Sequence, residues 1–422
     1  MSKSVRIGLA GLGTVGATVA ERLLGGAVPH AELVAVSARD ASRDRGMDLS
    51  GLRFETDPLQ LVEADDVDLI VELIGGEAGA ALALVEAALQ SGRPVVTANK
   101  AMLAAQADRL SDLSVNANVA LAFEAAVAGG IPVIKTVREG MAGNEIHRLS
   151  GILNGTCNYI LSRMEAAGLG FDAALKEAQE LGFAEADPFL DISGTDAGQK
   201  LAILSALAFG VAPNIDAIAI HGIDAITSQD ISFASEFGSV IRLVAMAEKS
   251  EAGVFHQVRP MLVRKSAALA QVMNELNAVK IEADPVGSVF LQGPGAGGGA
   301  TASAVLADIA DIVQGFGRPL FATNTSQMTQ KAVSSGKPSE FYIRMALADK
   351  PGSMARATQI LAENGVSIEE VVQRSSEAGD SFLPVVFITH QTDATALNSA
   401  LTALNGEDDI CSASLALPVL AE

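Results

Sequence analysis

The segment from Val5 to Leu24 limits the fold more than any other part of the chain. Val5–Ala10 is a short apolar run of the kind that forms a buried parallel strand. It leads directly into Gly11-Leu12-Gly13-Thr14-Val15-Gly16, after which Ala17–Leu24 has the apolar period of an amphipathic helix. A GxGxxG carries weight in this setting, strand before and helix after, where an isolated one would not. Gly11 permits the tight turn, Gly13 lets a pyrophosphate approach the backbone, and Gly16 allows helix and strand to pack closely. The helix start, with Leu12, Thr14 and Val15 completing the loop, offers free amides to a phosphate. The alternative is a plain glycine turn.

The pattern continues as an α/β unit. Strands are expected at Glu32–Ser37, Val67–Ile74, Pro94–Thr97 and Val119–Glu124, with a helix over Ala80–Gln90. In an open α/β sheet, ligands lie outside the carboxyl ends of the strands, so Thr97 and Lys100 fall at the cofactor crevice. The second strand ends at Ser37-Ala38-Arg39-Asp40, with Arg43 and Arg45 close behind. Arg39 stands where a basic residue pairs with a 2′-phosphate, which favours NADP. Asp40 and Glu32 leave NAD open, and a solvated basic loop is the third reading. Residues 1–130 are therefore expected to form a Rossmann-type nucleotide-binding domain, completed by about 295–320.

From about residue 130 the alternation of strand and helix stops, and 131–320 reads as a second, α+β domain. The stretch from Gly182 to Leu204, GFAEADPFLDISGTDAGQKLAIL, stands out in it. Glu185, Asp187, Asp191 and Asp196 precede Lys200, which sits four residues beyond Asp196 on a helix expected over Thr195–Phe209, with Ser193 or Thr195 as its N-cap. An acidic loop beside one lysine can hold a cationic amine next to a proton donor. A solvated loop followed by a surface ion pair is the plainer possibility. Gly151–Met164 is a polar Asn-Gly-Thr turn entering a helix. Ala125–Pro132 is a turn of small residues whose carbonyls could face a ligand or ion. Pro294–Ala304 is too rich in glycine for a helix or strand, and is either a flexible linker or a ligand-facing turn ahead of a helix over Ala304–Val313.

Residues 321–340 are expected to be a linker, most plainly at Lys331–Glu340. In 341–422, strands at Phe341–Ala348, Val366–Val372, Leu383–Thr389 and Ile410–Leu417 with helices at Ser353–Asn364 and Ala394–Leu404 follow the βαββαβ order of a ferredoxin-like unit. No acid, base or nucleophile cluster stands out there, which points to regulation or dimerisation.

Composition narrows the partners. The 50 acidic residues outweigh 29 basic ones to give a net charge of −21, which disfavours nucleic acid and anionic membrane surfaces. Cys157 and Cys411 are the two cysteines, too few for a disulfide framework. No signal-like segment or membrane-length apolar run occurs, so a cytoplasmic location is expected.

Taken together, GLAGLGTVG, TANK around Lys100, GILNGTCNYIL, GFAEADPFLDISGTDAGQK, GPGAGGGATAS and DKPGSMARATQILAENGVSI resemble homoserine dehydrogenase in the form with a C-terminal ACT domain. The resemblance spans almost the whole chain. It implies reversible NAD(P)-dependent interconversion of L-homoserine and L-aspartate 4-semialdehyde within threonine and methionine biosynthesis. By that likeness Glu185 and Asp191, with Asp196 beside them, hold the substrate's ammonium and hydroxyl end. Lys200 donates the proton to the aldehyde oxygen, Lys100 assists there or at the cofactor, and Gly297 faces the cofactor. Glu124, Val127, Gly129 and Ile131 match a turn that binds a monovalent cation, usually sodium, through backbone oxygens. The tail would bind a small amino acid, threonine as end product, near Asp349–Met354 and Asn364–Ile368, or serve only for packing. A homodimer or homotetramer is expected. One departure is visible: Gly79 stands where the family usually has a proline, which touches the stiffness of the cofactor-side loop. The competing readings are a dehydrogenase for another amino-acid substrate, and a cofactor-binding sensor without turnover.

Overall fold

The computed structural model describes residues 4–374, 382–410 and 414–421. The amino-terminal sheet contains β1 (Val5–Ala10), β2 (Ala31–Ser37), β3 (Arg53–Glu55), β4 (Leu69–Glu72), β5 (Val95–Thr97) and β6 (Leu121–Ala122), all parallel, in the order β3-β2-β1-β4-β5-β6. The run of apolar residues in β1 and β4 is explained by helices on both faces. Thr14–Leu24 and Gly298–Val313 pack on one side through Val19, Ala302, Val305 and Ile309. Ala80–Gln90 packs on the other through Leu84, Val85 and Leu89. The glycine positions behave as sterics require. Gly11 has φ +99°, and a Cβ there would lie 2.4 Å from the Leu73 carbonyl oxygen. A Cβ on Gly16 would lie 1.8 Å from the Gly11 carbonyl oxygen, so any side chain would force the helix off the strand.

Two local expectations are corrected here. The helix expected to start at Ala304 begins at Gly298, so part of the glycine-rich run is helical. Its first turn lies against Thr14, where Gly298 leaves room for the close approach of two helices, and that packing overrides glycine's poor helix propensity. The helix Thr195–Phe209 has neither Ser193 nor Thr195 as N-cap: Gly194, at φ +85°, occupies that position without a side-chain cap, and the two hydroxyls bond each other at 2.9 Å.

The central sheet holds β7 (Glu145–Ile152), β8 (Ala219–Ile220), β9 (Ser239–Ser250), β10 (Gly253–Arg264), β11 (Leu276–Asp284), β12 (Gly287–Pro294) and β13 (Ala332–Val333). Its order is β12-β11-β7-β9-β10-β13, with β8 beside β10. Helices Gly155–Ala167 and Thr195–Phe209 cover one face through Ile160, Leu161, Leu201 and Leu204. The segment expected to be a linker thus contributes a short strand, because Ala332 and Val333 pair with Val254 and Phe255.

On β10, His256 is buried and neither ring nitrogen has a hydrogen-bond partner among the described residues. Burial pushes it down to about 4 from its usual 6.5. A depressed histidine stabilises the fold above its unfolded value and loses that contribution as the pH falls toward the folded value. We therefore expect urea unfolding to show the wild type losing about 2 kcal/mol between pH 7 and pH 5 relative to His256→Leu. Parallel pH dependence of the two proteins would show that His256 is not the group responsible.

The carboxy-terminal sheet has β14 (Phe341–Ala348), β15 (Ile368–Gln373), β16 (Phe382–Thr389) and β17 (Leu415–Pro418), all antiparallel, in the order β15-β16-β14-β17. With helices Ser353–Glu363 and Ala394–Asn405 this is the expected βαββαβ unit. The last expected strand begins later than read, and residues 411–413 lie outside the described residues. The unit is fastened to helix Ser228–Glu236. Tyr342 donates to the buried Asp230 carboxylate at 2.7 Å, and Arg344 reaches its other oxygen at 2.7 Å. Arg374 stacks on the Phe233 ring at 4.4 Å and pairs with Glu236. Among the described residues no helix is long and apolar enough to cross a membrane.

Candidate active site

The crevice at the carboxyl ends of β1, β4 and β5 is built by the turns that follow them. After β1 comes the glycine loop. Gly13 has no atom within 4 Å of where a Cβ would stand, so the backbone is open to an approaching group. The amides of the first helical turn, from Thr14 on, have no intrahelical acceptors and face outward as an anion receptor. After β4, Glu72 is fully buried and organises the adjoining turn. Its carboxylate accepts from the Ile74 and Gly75 amides at 2.7 and 3.0 Å and from the Thr97 hydroxyl at 2.5 Å. Thr97 in turn accepts the Asn99 amide, and Asn99 donates to the Gly76 carbonyl at 2.8 Å. This network stiffens the loop ahead of Gly79. A cleft of about 520 Å³ opens between these turns and is bordered by Gly11, Gly13, Arg39, Arg43 and Ile74.

Beyond β5, two lysines meet one carboxylate. Lys100 opens the helix Lys100–Ala105, and Lys200 projects from the helix Thr195–Phe209. Asp196 Oδ1 lies 3.2 Å from Lys100 Nζ, and Asp196 Oδ2 lies 2.8 Å from Lys200 Nζ. Lys200 is 8% exposed and also donates to the Leu153 carbonyl at 2.7 Å. Two of its three protons are thus placed, and the third is available to a ligand. Burial acts to raise the Asp196 carboxyl, but the adjacent Lys200 and Lys100 charges and hydrogen bonds outweigh it and hold it well below the usual carboxylate range.

Asn154 joins the remaining acid to this group. Its Oδ1 accepts the Cys157 amide as helix cap, which fixes the amide orientation and aims Nδ2 at the carboxylates. Nδ2 donates to Asp191 at 2.7 Å and to Asp196 at 2.9 Å. Burial pushes the Asp191 carboxyl up, and the Asp196 charge adds to that. Sequence reasoning noticed the Asn-Gly-Thr turn but not this role. A cap residue immediately after a strand, inside a block rich in polar residues, was the available signal.

The expected site residues divide as follows. Lys100, Asp191, Asp196 and Lys200 are brought together. Glu185 is exposed, and its carboxylate has no partner among the described residues; its backbone carbonyl accepts from Gln179 at 3.1 Å. Arg39 is exposed at the cleft, again with no partner among the described residues. Gly297 has φ +105° and precedes the helix that packs on Thr14–Leu24. The Thr97 hydroxyl is engaged inside the protein rather than open to the cleft.

At Glu124, Val127, Gly129 and Ile131 the chain forms a buried turn, with Ala128 and Gly129 at φ +55° and +44°. The Glu124 carbonyl meets the Val127 amide at 3.4 Å and that of Ile131 accepts the Val133 amide at 2.7 Å, whereas those of Val127 and Gly129 accept no hydrogen bond among the described residues. The Glu124 carboxylate is taken up by the Ile134 and Lys135 amides at 2.8 and 2.9 Å. Buried carbonyls without donors suit a hard monovalent cation.

Comparison with known proteins identifies the family. Family models match in three consecutive stretches: the homoserine dehydrogenase NAD-binding domain at residues 11–124, homoserine dehydrogenase at 132–310, and the ACT domain at 341–408. The homoserine dehydrogenase of Neisseria gonorrhoeae is 40% identical, covering 96% of each chain. That of Bacillus subtilis is 34% identical, covering 96% of this chain and 95% of the relative. The crystal structure of a homoserine dehydrogenase from Thiobacillus denitrificans superposes with a TM-score of 0.92 at 36% identity, over 99% of this chain and 98% of that one. A hyperthermophilic archaeal homoserine dehydrogenase in complex with NADPH superposes with a TM-score of 0.64 at 28% identity, over 75% of this chain and 99% of that one. This chain belongs to the homoserine dehydrogenase family, and is an NAD(P)-dependent oxidoreductase with a C-terminal ACT domain.

Proposed function

We propose that Lys200 is the proton donor and acceptor in the interconversion of L-homoserine and L-aspartate 4-semialdehyde, with Lys100 as the second cation at the reacting oxygen. The observation that carries this reading is the one carboxylate, Asp196, largely shielded from solvent and held between the two ammonium groups at the mouth of the nucleotide crevice. The nicotinamide supplies or accepts the hydride when bound. Hydride addition to the aldehyde carbon builds negative charge on oxygen, and two fixed cations stabilise that charge. The unused Lys200 proton then passes to the oxygen. Asp191, oriented by Asn154, and Glu185, open to solvent, receive the substrate ammonium.

For the cofactor, NADP fits better than NAD. Arg39 presents to the cleft a guanidinium with no partner among the described residues, while Asp40 is occupied by the Ser42 amide and hydroxyl at 2.9 and 2.7 Å. Glu32 stands at the start of β2, paired in register with Arg6, at the end of the sheet away from the crevice. Sodium at the Glu124–Ile131 turn, a homodimer or homotetramer, cytoplasmic location and threonine acting through the tail complete the proposal. The proposed domain division is 1–130 nucleotide-binding, completed by about 295–320, 131–320 catalytic, 321–340 connecting and 341–422 regulatory. The packing of Gly298–Val313 on the amino-terminal sheet supports that completion, while the pairing of Ala332–Val333 with β10 ties part of the connecting segment to the central sheet.

Initial rates of homoserine oxidation test the assignment, measured with NADP and NAD, with and without sodium, and with and without threonine. The expected result is faster turnover with NADP, dependence on sodium, and damping by threonine. In the same series Glu185→Gln raises KM more than it lowers kcat. Equal rates with both cofactors would set aside the Arg39 argument. Indifference to threonine would leave the tail a packing unit, and an unchanged KM would remove Glu185 from substrate binding.

A further inference from the structure

Two adjoining cavities, of about 360 and 780 Å³, run along the junction of the C-terminal unit and the central sheet. Both are lined by His221, Arg259, Phe341, Ala394 and Asn398. Arg259 projects from β10, where no carboxylate pairs with it among the described residues. Among the described residues its one side-chain hydrogen bond runs from Nη2 to the Ala416 carbonyl at 2.9 Å, and its Nε is buried without an acceptor. Burial pushes the guanidinium's pKa down. The contrast with Arg242 is direct: that fully buried guanidinium has Glu165 at 2.9 Å and the Ile241 and Ala270 carbonyls at 3.0 and 3.1 Å. A largely buried cation with no counter-charge is destabilising unless something else supplies the anion. The open space beside Arg259 is where that anion can enter.

We propose that this cleft binds a small aliphatic carboxylate, with Arg259 as its anchor. Leu397, Leu401 and Leu417 line the smaller cavity and suit an aliphatic chain rather than a phosphate or a polyol. Asp224 stands on the same wall and offers a seat for an ammonium, which makes an α-amino acid the preferred source of the carboxylate. The wall is joined to the catalytic loop: His221 donates its amide to Val258 at 2.8 Å, and Ile223 donates to Ile192, next to Asp191, at 2.9 Å. The site depends neither on the roles given to the lysines nor on an effector near Asp349–Met354.

The test is isothermal titration of the full chain with L-valine, its deaminated analogue 3-methylbutanoate and its decarboxylated analogue isobutylamine. L-valine should bind, 3-methylbutanoate more weakly, and isobutylamine not at all. Arg259→Met should weaken valine binding by roughly tenfold or more, as expected when a charge-assisted hydrogen bond is lost. Leu401→Trp should fill the cavity and abolish binding while homoserine oxidation persists, which keeps the test decisive if the arginine variant folds poorly. Equal binding of valine and 3-methylbutanoate would support the carboxylate site and give the plain acid as its ligand. No heat from either carboxylate with the wild type, or undiminished binding in both variants, would overturn the proposal. So would a change in light-scattering mass in Arg259→Met, because Arg259 would then serve a subunit contact.

Discussion

Lys200→Ala is expected to lower kcat for homoserine oxidation by at least about two orders of magnitude, the usual range for loss of a positioned acid–base group. Fluorescence titration with NADPH should give cofactor affinity close to wild type, because Lys200 belongs to the central domain and not to the glycine loop. The size of the effect follows from how Lys200 is held. The Leu153 carbonyl and Asp196 fix the ammonium from two sides, at 2.7 and 2.8 Å, so its remaining proton points in one direction. Alanine removes both that proton and one of the two cations facing the developing oxyanion. Lys100 remains, 3.2 Å from Asp196, and its side chain is 36% exposed, so water screens it more and it substitutes poorly. The loss should therefore appear in kcat and kcat/KM together, which marks an interaction made in the transition state. Near-normal turnover, or a loss confined to KM, would remove Lys200 from proton transfer.

The parts of the site that were legible in the sequence are those encoded by neighbours in the chain. Strand, glycine turn and helix are contiguous from Val5 to Leu24, and Asp196 and Lys200 share a helix face by their spacing. The βαββαβ tail is likewise written in local periodicity. What escaped depends on long-range placement. Asn154 reaches Asp191 and Asp196 across 37 and 42 residues, so no local pattern shows that its amide bridges them. Glu72 looks like the polar end of an apolar strand until the Ile74 and Gly75 amides and the Thr97 hydroxyl are seen to converge on it. The glycines at 298 and 299 argue against a helix by propensity, and only the neighbouring helix at Thr14 explains why a small residue is needed at 298. Arg259 is the limiting case, since its interest lies in the counter-charge it lacks among the described residues.

Asp196→Asn is expected to reduce turnover as severely as the loss of Lys200, and to weaken the fold as well. The carboxylate takes Lys100 on one oxygen and both Lys200 and Asn154 on the other. An amide offers one acceptor and two donors in the same space, so its NH2 must face a lysine ammonium or the Asn154 NH2. Lys200, which is buried, and the partly exposed Lys100 then face each other without their common anion. Breaking a buried pair in this way is destabilising by about 3–5 kcal/mol, an upper figure here because Asp191 remains nearby. The pH dependence separates this from a packing defect. The folded pKa of Asp196 is depressed, so its contribution is fully present above the ordinary carboxylate value and fades as pH falls below 3.8 toward the folded value. Urea unfolding should accordingly show a wide stability gap between wild type and variant at pH 7, narrowing as the pH is lowered through that window. A gap that stays constant with pH would mean the variant disturbs packing, and that the charge of Asp196 does not hold the two lysines in place.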